Sequence, residues 1–256
     1  MMKKPSFYDR VLDKLARSSP GPIAGAIDLL RPSLAQVLGG PFNGQERRIE
    51  AVRDVFARVQ FNSVIETGTY RATTTLFLRA LTAAPIATVE ADARYYHYAR
   101  MRLRGRDVRV IEGDSSTTLQ SLASAPPWNR TPAFFYLDAH WLDALPLPAE
   151  LTVIANAWSD FAALIDDFRV PGDTGYGYDD YGPGRALELS ILAPLAGKQV
   201  AVYWPSAPST DETGARRGWV LLASHGAVDD TLRTLQTLRR AGHIDTVGGI
   251  ETTVSA

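Results

Sequence analysis

Residues 64–75 read VIETGTYRATTT: two β-branched apolar residues, an acid, a glycine turn and a threonine run that opens a helix. Gly68 lets the chain bend sharply and lets another group approach its backbone, because it carries no Cβ. A strand that turns tightly into a helix is the first unit of an alternating α/β sheet. The alternation continues downstream. Short apolar runs at 63–66, 86–90, 108–112, 133–138 and 162–166 read as strands, and helices fill the gaps at 73–82, 93–104, 116–122 and 147–158. This order predicts a parallel sheet covered on both faces, with ligands beyond the carboxyl ends of the strands. Several of those ends are acidic, so carboxylates stand where a ligand is expected.

Upstream, Phe7, Val11, Leu12 and Leu15 mark a helix over 6–17. Ile27, Leu29 and Leu30 mark a second that Pro32 limits, and Ile49, Val52, Val55, Phe56 and Val59 a third over 44–60. Residues 1–60 are expected to form a helical cap over the sheet edge of a catalytic domain spanning 61–256, the two making one compact unit. Downstream, residues 171–184 (PGDTGYGYDDYGPG) are too rich in Gly, Pro and Asp for a regular element. A helix at 185–195, strands at 199–204 and 218–224, and a final amphipathic helix at 229–240 complete the expectation. The predicted fold class is α/β and Rossmann-like: a mostly parallel sheet with a C-terminal antiparallel strand pair and an N-terminal helical segment.

The chain of 256 residues carries 27 basic and 28 acidic side chains, which leaves no basic surplus for a nucleic-acid backbone. Arg100, Arg102, Arg104 and Arg106 form a local cluster that fits the solvated end of a helix. Without cysteine there is no disulfide, thiolate nucleophile or thiolate-bound metal. Residues 1–16 lack a signal-peptide core, and the apolar stretch 23–30 is too short to span a bilayer. The expectation is a cytosolic protein with a small-molecule partner, no nucleic acid and no membrane, whose terminal helices leave room for a homo-oligomer.

The glycine turn lacks the G-x-G-x-x-G spacing of a pyrophosphate site, since residues 69–72 contain no glycine. Its surroundings suit a nucleoside without phosphate. Glu66 can hold an ammonium, while Gly68, Thr69 and Tyr70 can offer hydroxyl and amide donors to a carboxylate. Glu90 lies 22 positions after Gly68, where Rossmann-like sites keep the acid that accepts ribose hydroxyls. Asp114, with Ser115 beside it, can take the amino group of adenine, although a helix N-cap explains Asp114 about as well. Together these groups fit S-adenosylmethionine.

Two further segments end strands: FYLDAHW (135–141) and LIDDF (164–168). Asp138, Asp166 and Asp167 can converge on one hard cation, and magnesium prefers a few carboxylates plus water and substrate oxygens. A hydroxyl beside such an ion loses its proton more easily. His140 is the natural general base. His97 and His225 lack acidic strand-end neighbours, and His243 stands two residues before Asp245 in the tail. In the loop after the acidic pair, Tyr176, Tyr178 and Tyr181 can stack on a sugar face, and Asp179 can bond its hydroxyls. Trp141 is as readily a packing residue as a platform.

The ETGTY turn (66–70), the acidic end of the second strand in TVEAD (88–92) and the GDS after the third (113–115) resemble class I S-adenosylmethionine-dependent methyltransferases. The resemblance covers roughly residues 41–224, with Ala72 where the family usually keeps the turn's last glycine. The D-A-H-W and D-D segments further resemble the metal-dependent, macrocin-type sugar O-methyltransferases. That resemblance implies magnesium (Mg2+) on Asp138, Asp166 and Asp167, a base at His140, and O-methylation of a hydroxyl on a saccharide or glycosylated metabolite. PFNGQ (41–45) resembles a segment preceding the first strand in bacterial members, which implies either help in closing the cofactor pocket or a helix start capped by Asn43. STDETGARRG (209–218) also resembles a family segment, with no role implied. Rival readings on the same fold are a metal-free N-methyltransferase, a metal-dependent hydroxylase, and a non-catalytic, methyltransferase-like binding protein.

Overall fold

The computed structural model describes residues 7–31, 33–34, 39–140, 144–244 and 250–251. Helices α1 (Phe7–Arg17) and α2 (Gly21–Leu29) come first, then a 3-10 turn (Pro41–Gly44) and α3 (Glu46–Arg58). The alternating core follows as β1 (Ser63–Thr67), α4 (Thr73–Leu81), β2 (Ile86–Glu90), α5 (Ala93–Arg102), β3 (Val108–Glu112), α6 (Ser115–Ala123), β4 (Ala133–Leu137), α7 (Leu147–Ala157) and β5 (Phe161–Ile165). These five strands pair in parallel. After them come β6 (Val200–Pro205), β7 (Val220–Ser224), α8 (Ala227–Leu232), β8 (Leu238–Ile244) and β9 (Ile250–Glu251).

The described residues form one sheet of order β3-β2-β1-β4-β5-β7-β6-β8-β9. From β1 the chain works outward to β3, then returns to place β4 on the other side of β1. The crevice between the ends of β1 and β4 is thus the switch point, where such sheets bind ligands. The inner strands β1, β4 and β5 are buried along their whole length, which is why β4 and β5 read as unbroken apolar runs, while Ser63 and Glu66 of β1 find partners inside. Alternate residues serve opposite layers. Ile65, Phe135, Leu137 and Ile165 meet Leu119 of α6, Leu151 and Ile154 of α7, and Trp158 just past it. Val64, Phe134, Tyr136 and Leu164 meet Val52 and Val55 of α3 and Leu78 of α4. Burial of each Phe is worth about 2–3 kcal/mol, so a one-residue slip of β4, which exchanges the faces, is strongly opposed.

Three expectations change. α3 is a full member of one core layer rather than a cap on the sheet edge; of the N-terminal helices, α2 lies against α5 and α1 against α2. The helix expected at 185–195 reduces to a 3-10 segment, Leu189–Leu195, with Pro194 inside it. The final helix expected at 229–240 ends at Leu232, and β8 begins at Leu238. β6 would otherwise present an open edge, and β8 covers it by antiparallel pairing, a demand that the helical spacing of Leu232 and Leu235 does not reveal. No described helix is long and apolar enough to cross a membrane.

Candidate active site

Gly68 has φ +83°, and a Cβ built there would stand 2.2 Å from the carbonyl oxygen of Asp138. The turn after β1 therefore rests on the turn after β4, backbone on backbone, an approach open only to glycine. Gly68 and Thr69 donate their amides to the Val89 carbonyl at 3.0 and 3.2 Å. Tyr70 and Ala72 both take left-handed φ values, +45° and +56°. Ala72 is thus an alanine in a glycine-like conformation, strained but buried.

The acids at this corner are all engaged. Glu66, 1% exposed, accepts hydrogen bonds from Thr75 Oγ1 and, at 2.6 Å, from Thr88 Oγ1. Burial raises its pKa to about 7 against the pull of both hydroxyls. Glu90 accepts the Tyr70 amide at 2.7 Å and the Asp92 amide at 2.9 Å, and burial raises its pKa as well. Asp114 is the N-cap of α6: it accepts the Thr117 amide at 2.8 Å and the Ser116 hydroxyl at 2.7 Å, which lower its pKa. Of its two readings, the cap is the one its hydrogen bonds serve. Ser115 is buried with its Oγ unpartnered, as are Thr67 Oγ1 and Glu150 Oε1. Glu150, from α7, sits buried among these hydroxyls.

Beyond β4 and β5 the carboxylates divide. Asp138, His140 and Asp167 each bring one ligand atom to a point, all within 4.8 Å of one another. His140 Nε2 is buried, unpartnered, and 3.9 Å from both Asp138 Oδ1 and Asp167 Oδ2. Asp166 faces away from this point. Its Oδ1 pairs with Arg48 Nη1 at 2.6 Å and accepts the Asp167 amide at 2.7 Å, while its Oδ2 takes the Tyr136 hydroxyl at 2.5 Å. Both acids lie just past β5, where Asp167 takes a left-handed φ of +52°, and the bonds of Asp166 to Arg48 and Tyr136 hold it apart from the point that Asp167 reaches. The expected trio of Asp138, Asp166 and Asp167 is therefore replaced, in space, by Asp138, His140 and Asp167.

Electrostatics follow the same division. Arg48 holds Asp166 below the usual carboxylate range in spite of its burial. Burial and the neighbouring Asp166 raise Asp167 to about 7, and burial with both neighbouring acids raises Asp138 well above the usual value. Burial lowers the pKa of His140. Arg217 pairs with Asp167 Oδ1 at 2.5 Å and with Asp179. With all groups ionised, four carboxylates (Asp138, Asp166, Asp167, Asp179) face two guanidiniums (Arg48, Arg217), a surplus of two negative charges. That surplus fits a divalent cation, and the unpartnered imidazole nitrogen of His140 faces the same point.

The tyrosine loop is less uniform than its sequence. Tyr176 is buried, 2% exposed, and donates its hydroxyl to the Ala207 carbonyl at 3.1 Å, so it packs rather than offering a sugar platform. Tyr178 lies under the Arg169 guanidinium, 5.5 Å from ring centre to Cζ. Tyr181 faces His140 edge-on at 6.5 Å and donates to Asp179 Oδ2 at 2.8 Å. Trp141 falls outside the described residues.

Sequence reasoning missed Arg48, Tyr136, Glu212 and Arg217. Tyr136 was readable, two residues before Asp138 on the same strand face. Arg48 stands on the buried stripe of α3 with Val52 and Val55, a misplaced charge that asks for a partner. The segments 41–45 and 209–218 prove to be one structure. Glu212 accepts the Arg47 and Arg48 amides at 3.0 and 3.1 Å and Thr213 Oγ1 accepts the Glu46 amide at 2.9 Å, so together they cap α3. Asn43 is no cap; it has φ +59° and its carbonyl accepts the Ala215 amide. Gln45 bonds both backbone groups of Arg217 at 2.9 Å, which aims that arginine at Asp167.

No family model and no curated protein matches this sequence. Solved structures match. Cofactor-bound Rv0187 from MTB superposes with a TM-score of 0.52 at 16% identity, covering 89% of this chain and 100% of that one. The O-methyltransferase TomG from Streptomyces achromogenes, involved in tomaymycin synthesis and solved with S-adenosylmethionine, gives a TM-score of 0.50 at 15% identity over 87% and 92%. At such identities the fold is what is shared, and the chain carries the Rossmann-like α/β fold of these cofactor-bound proteins.

Proposed function

We propose that the protein is an S-adenosylmethionine-dependent O-methyltransferase, assisted by magnesium, that methylates a hydroxyl of a saccharide or glycosylated metabolite. The observation carrying this reading is the wall shared by two sites: Gly68 of the cofactor turn rests on the Asp138 backbone, and the Asp138 side chain belongs to the ion cluster. A methyl donor held at β1 and a hydroxyl held at β4 and β5 would be neighbours, and registering the two is most of what such a transfer needs. In the cofactor corner, Glu66 answers to an ammonium, Glu90 to the ribose, and the unpartnered Ser115 hydroxyl to the adenine side. The turn residues Thr69 and Tyr70 border the same corner.

Asp138 and Asp167 would hold the divalent ion, which when bound supplies Lewis-acid charge that makes a nearby hydroxyl more acidic. Magnesium favours oxygen, which leaves the imidazole of His140 to accept the proton. Its lowered pKa keeps that imidazole neutral at pH 7. Asp166, locked by Arg48 and Tyr136, braces the cluster from behind. Tyr181 and Asp179 border the acceptor side.

Calorimetric titration with S-adenosylmethionine, then S-adenosylhomocysteine release from a panel of glycosylated acceptors with and without EDTA, tests the proposal. Cofactor binding and EDTA-sensitive release are expected. Failure to bind the cofactor would refute methyl transfer, full activity in EDTA would remove the ion, and turnover restricted to amine acceptors would remove O-methylation.

A further inference from the structure

We infer that the hairpin α1–α2 is part of the cofactor corner, with Asp28 as the positioning residue that locks the glycine turn to α5. The inference rests on the cofactor reading of that corner. Asp28, on α2, is fully buried and outside the ion cluster. Its carboxylate takes Arg94 through Nε and Nη2, both at 2.8 Å, and Arg31 Nη1 at 3.1 Å, and it stands 3.4 Å from Arg71 Nη1. Asp13 of α1 adds Arg31 at 2.9 Å and Arg94 at 3.5 Å.

The placement of those arginines gives the cluster its meaning. Arg71 lies inside the turn after β1, between the two left-handed residues Tyr70 and Ala72. Arg94 opens the helix after β2, just past Glu90. The Tyr70 amide joins these two segments from within by bonding Glu90, and Asp28 joins them from outside. The Arg71 guanidinium is further fixed among the rings of Tyr70, Tyr95 and Tyr98, at 5.2, 5.4 and 5.2 Å.

Close packing keeps the clamp in place. A Cβ on Gly25 would stand 2.7 Å from the Tyr98 amide, and one on Gly21 2.7 Å from Ala93 Cβ, so α2 lies directly on the backbone of α5. A buried ionic cluster is a poor source of stability, since desolvation offsets much of the attraction and apolar side chains pack as well. What it supplies is direction: the forked Arg94 guanidinium accepts few orientations around that carboxylate, and Arg71 is held beside it by charge at 3.4 Å and by the surrounding rings. A hairpin that merely covered α5 would need no such cluster.

The test compares wild-type protein with Asp28→Asn and Asp28→Glu by hydrogen exchange and by titration with S-adenosylmethionine. In Asp28→Asn, faster exchange confined to residues 66–75 and the start of α5 is expected, with cofactor affinity about tenfold weaker and partial recovery in Asp28→Glu. Peptides from β4 and β5 should exchange as in wild type. Unchanged exchange at the turn with affinity within about twofold would overturn the inference. So would uniform acceleration across the whole sheet that Asp28→Glu does not reverse. If wild-type protein binds no S-adenosylmethionine, the cofactor reading is what fails, and the exchange pattern alone decides the clamp.

Discussion

Replacing Glu150 by glutamine should make the protein more stable at alkaline pH and change little in acid. Glu150 is buried on α7, and burial raises its pKa from the ordinary 4.5 to about 7. Its folded-state pKa is thus above the unfolded one. Below the unfolded value the carboxyl is protonated in both states and no penalty applies. As pH rises towards the folded value, the unfolded chain ionises freely and the folded chain does not, so stability is lost. At about 1.4 kcal/mol per unit, the interval from 4.5 to about 7 amounts to about 3 kcal/mol. Urea unfolding of wild type and Glu150→Gln without cofactor, at about pH 5 and about pH 8, measures the difference between the two proteins at each pH. The advantage of the variant should grow by about 2–3 kcal/mol across that window. A difference that stays flat with pH would show that Glu150 is ionised in the folded protein throughout, and the burial reasoning would fall.

Four other outcomes follow from the site. Arg48→Met leaves the buried Asp166 carboxylate without its cation and should cost about 3–5 kcal/mol in urea unfolding, most of it recovered when Asp166→Leu is added. Gly68→Ala must push the β4 turn aside and should abolish calorimetric binding of S-adenosylmethionine while costing about 1–3 kcal/mol of stability; unaltered binding would separate the turn from the cofactor. Asp167→Asn should weaken Mn2+ binding by about tenfold or more, measured by paramagnetic relaxation. His140→Gln should spare that binding yet stop S-adenosylhomocysteine release, and loss of ion affinity in His140→Gln would make the histidine a ligand instead.

Most of the sheet was legible because its signal is local. β4 and β5 are five-residue apolar runs followed by an acid, β1 carries Val64 and Ile65 ahead of the glycine turn, and each is buried throughout. Asp138 and Asp167 were legible for the same reason, since a strand delivers its last residues to the ligand edge. What remained hidden depends on distant partners. Whether Asp166 or Asp167 turns to the cluster is decided by Arg48, on a helix far earlier in the chain. The loop tyrosines carry no periodicity, so the burial of Tyr176 and the exposure of Tyr181 towards His140 could not be told apart. β8 resembled a helix because the need it meets, an open edge on β6, is not written in its own residues.

The seam between residues 41–45 and 209–218 also sets a timetable for synthesis. α3 leaves the ribosome with its first amides bare and Arg48 charged, while the Glu212 and Asp166 that receive them are still untranslated. Contacts between such distant segments form late, after local helices and turns. A chain halted before residue 209 would hold every carboxylate of the ion cluster and still lack the hand that arranges them.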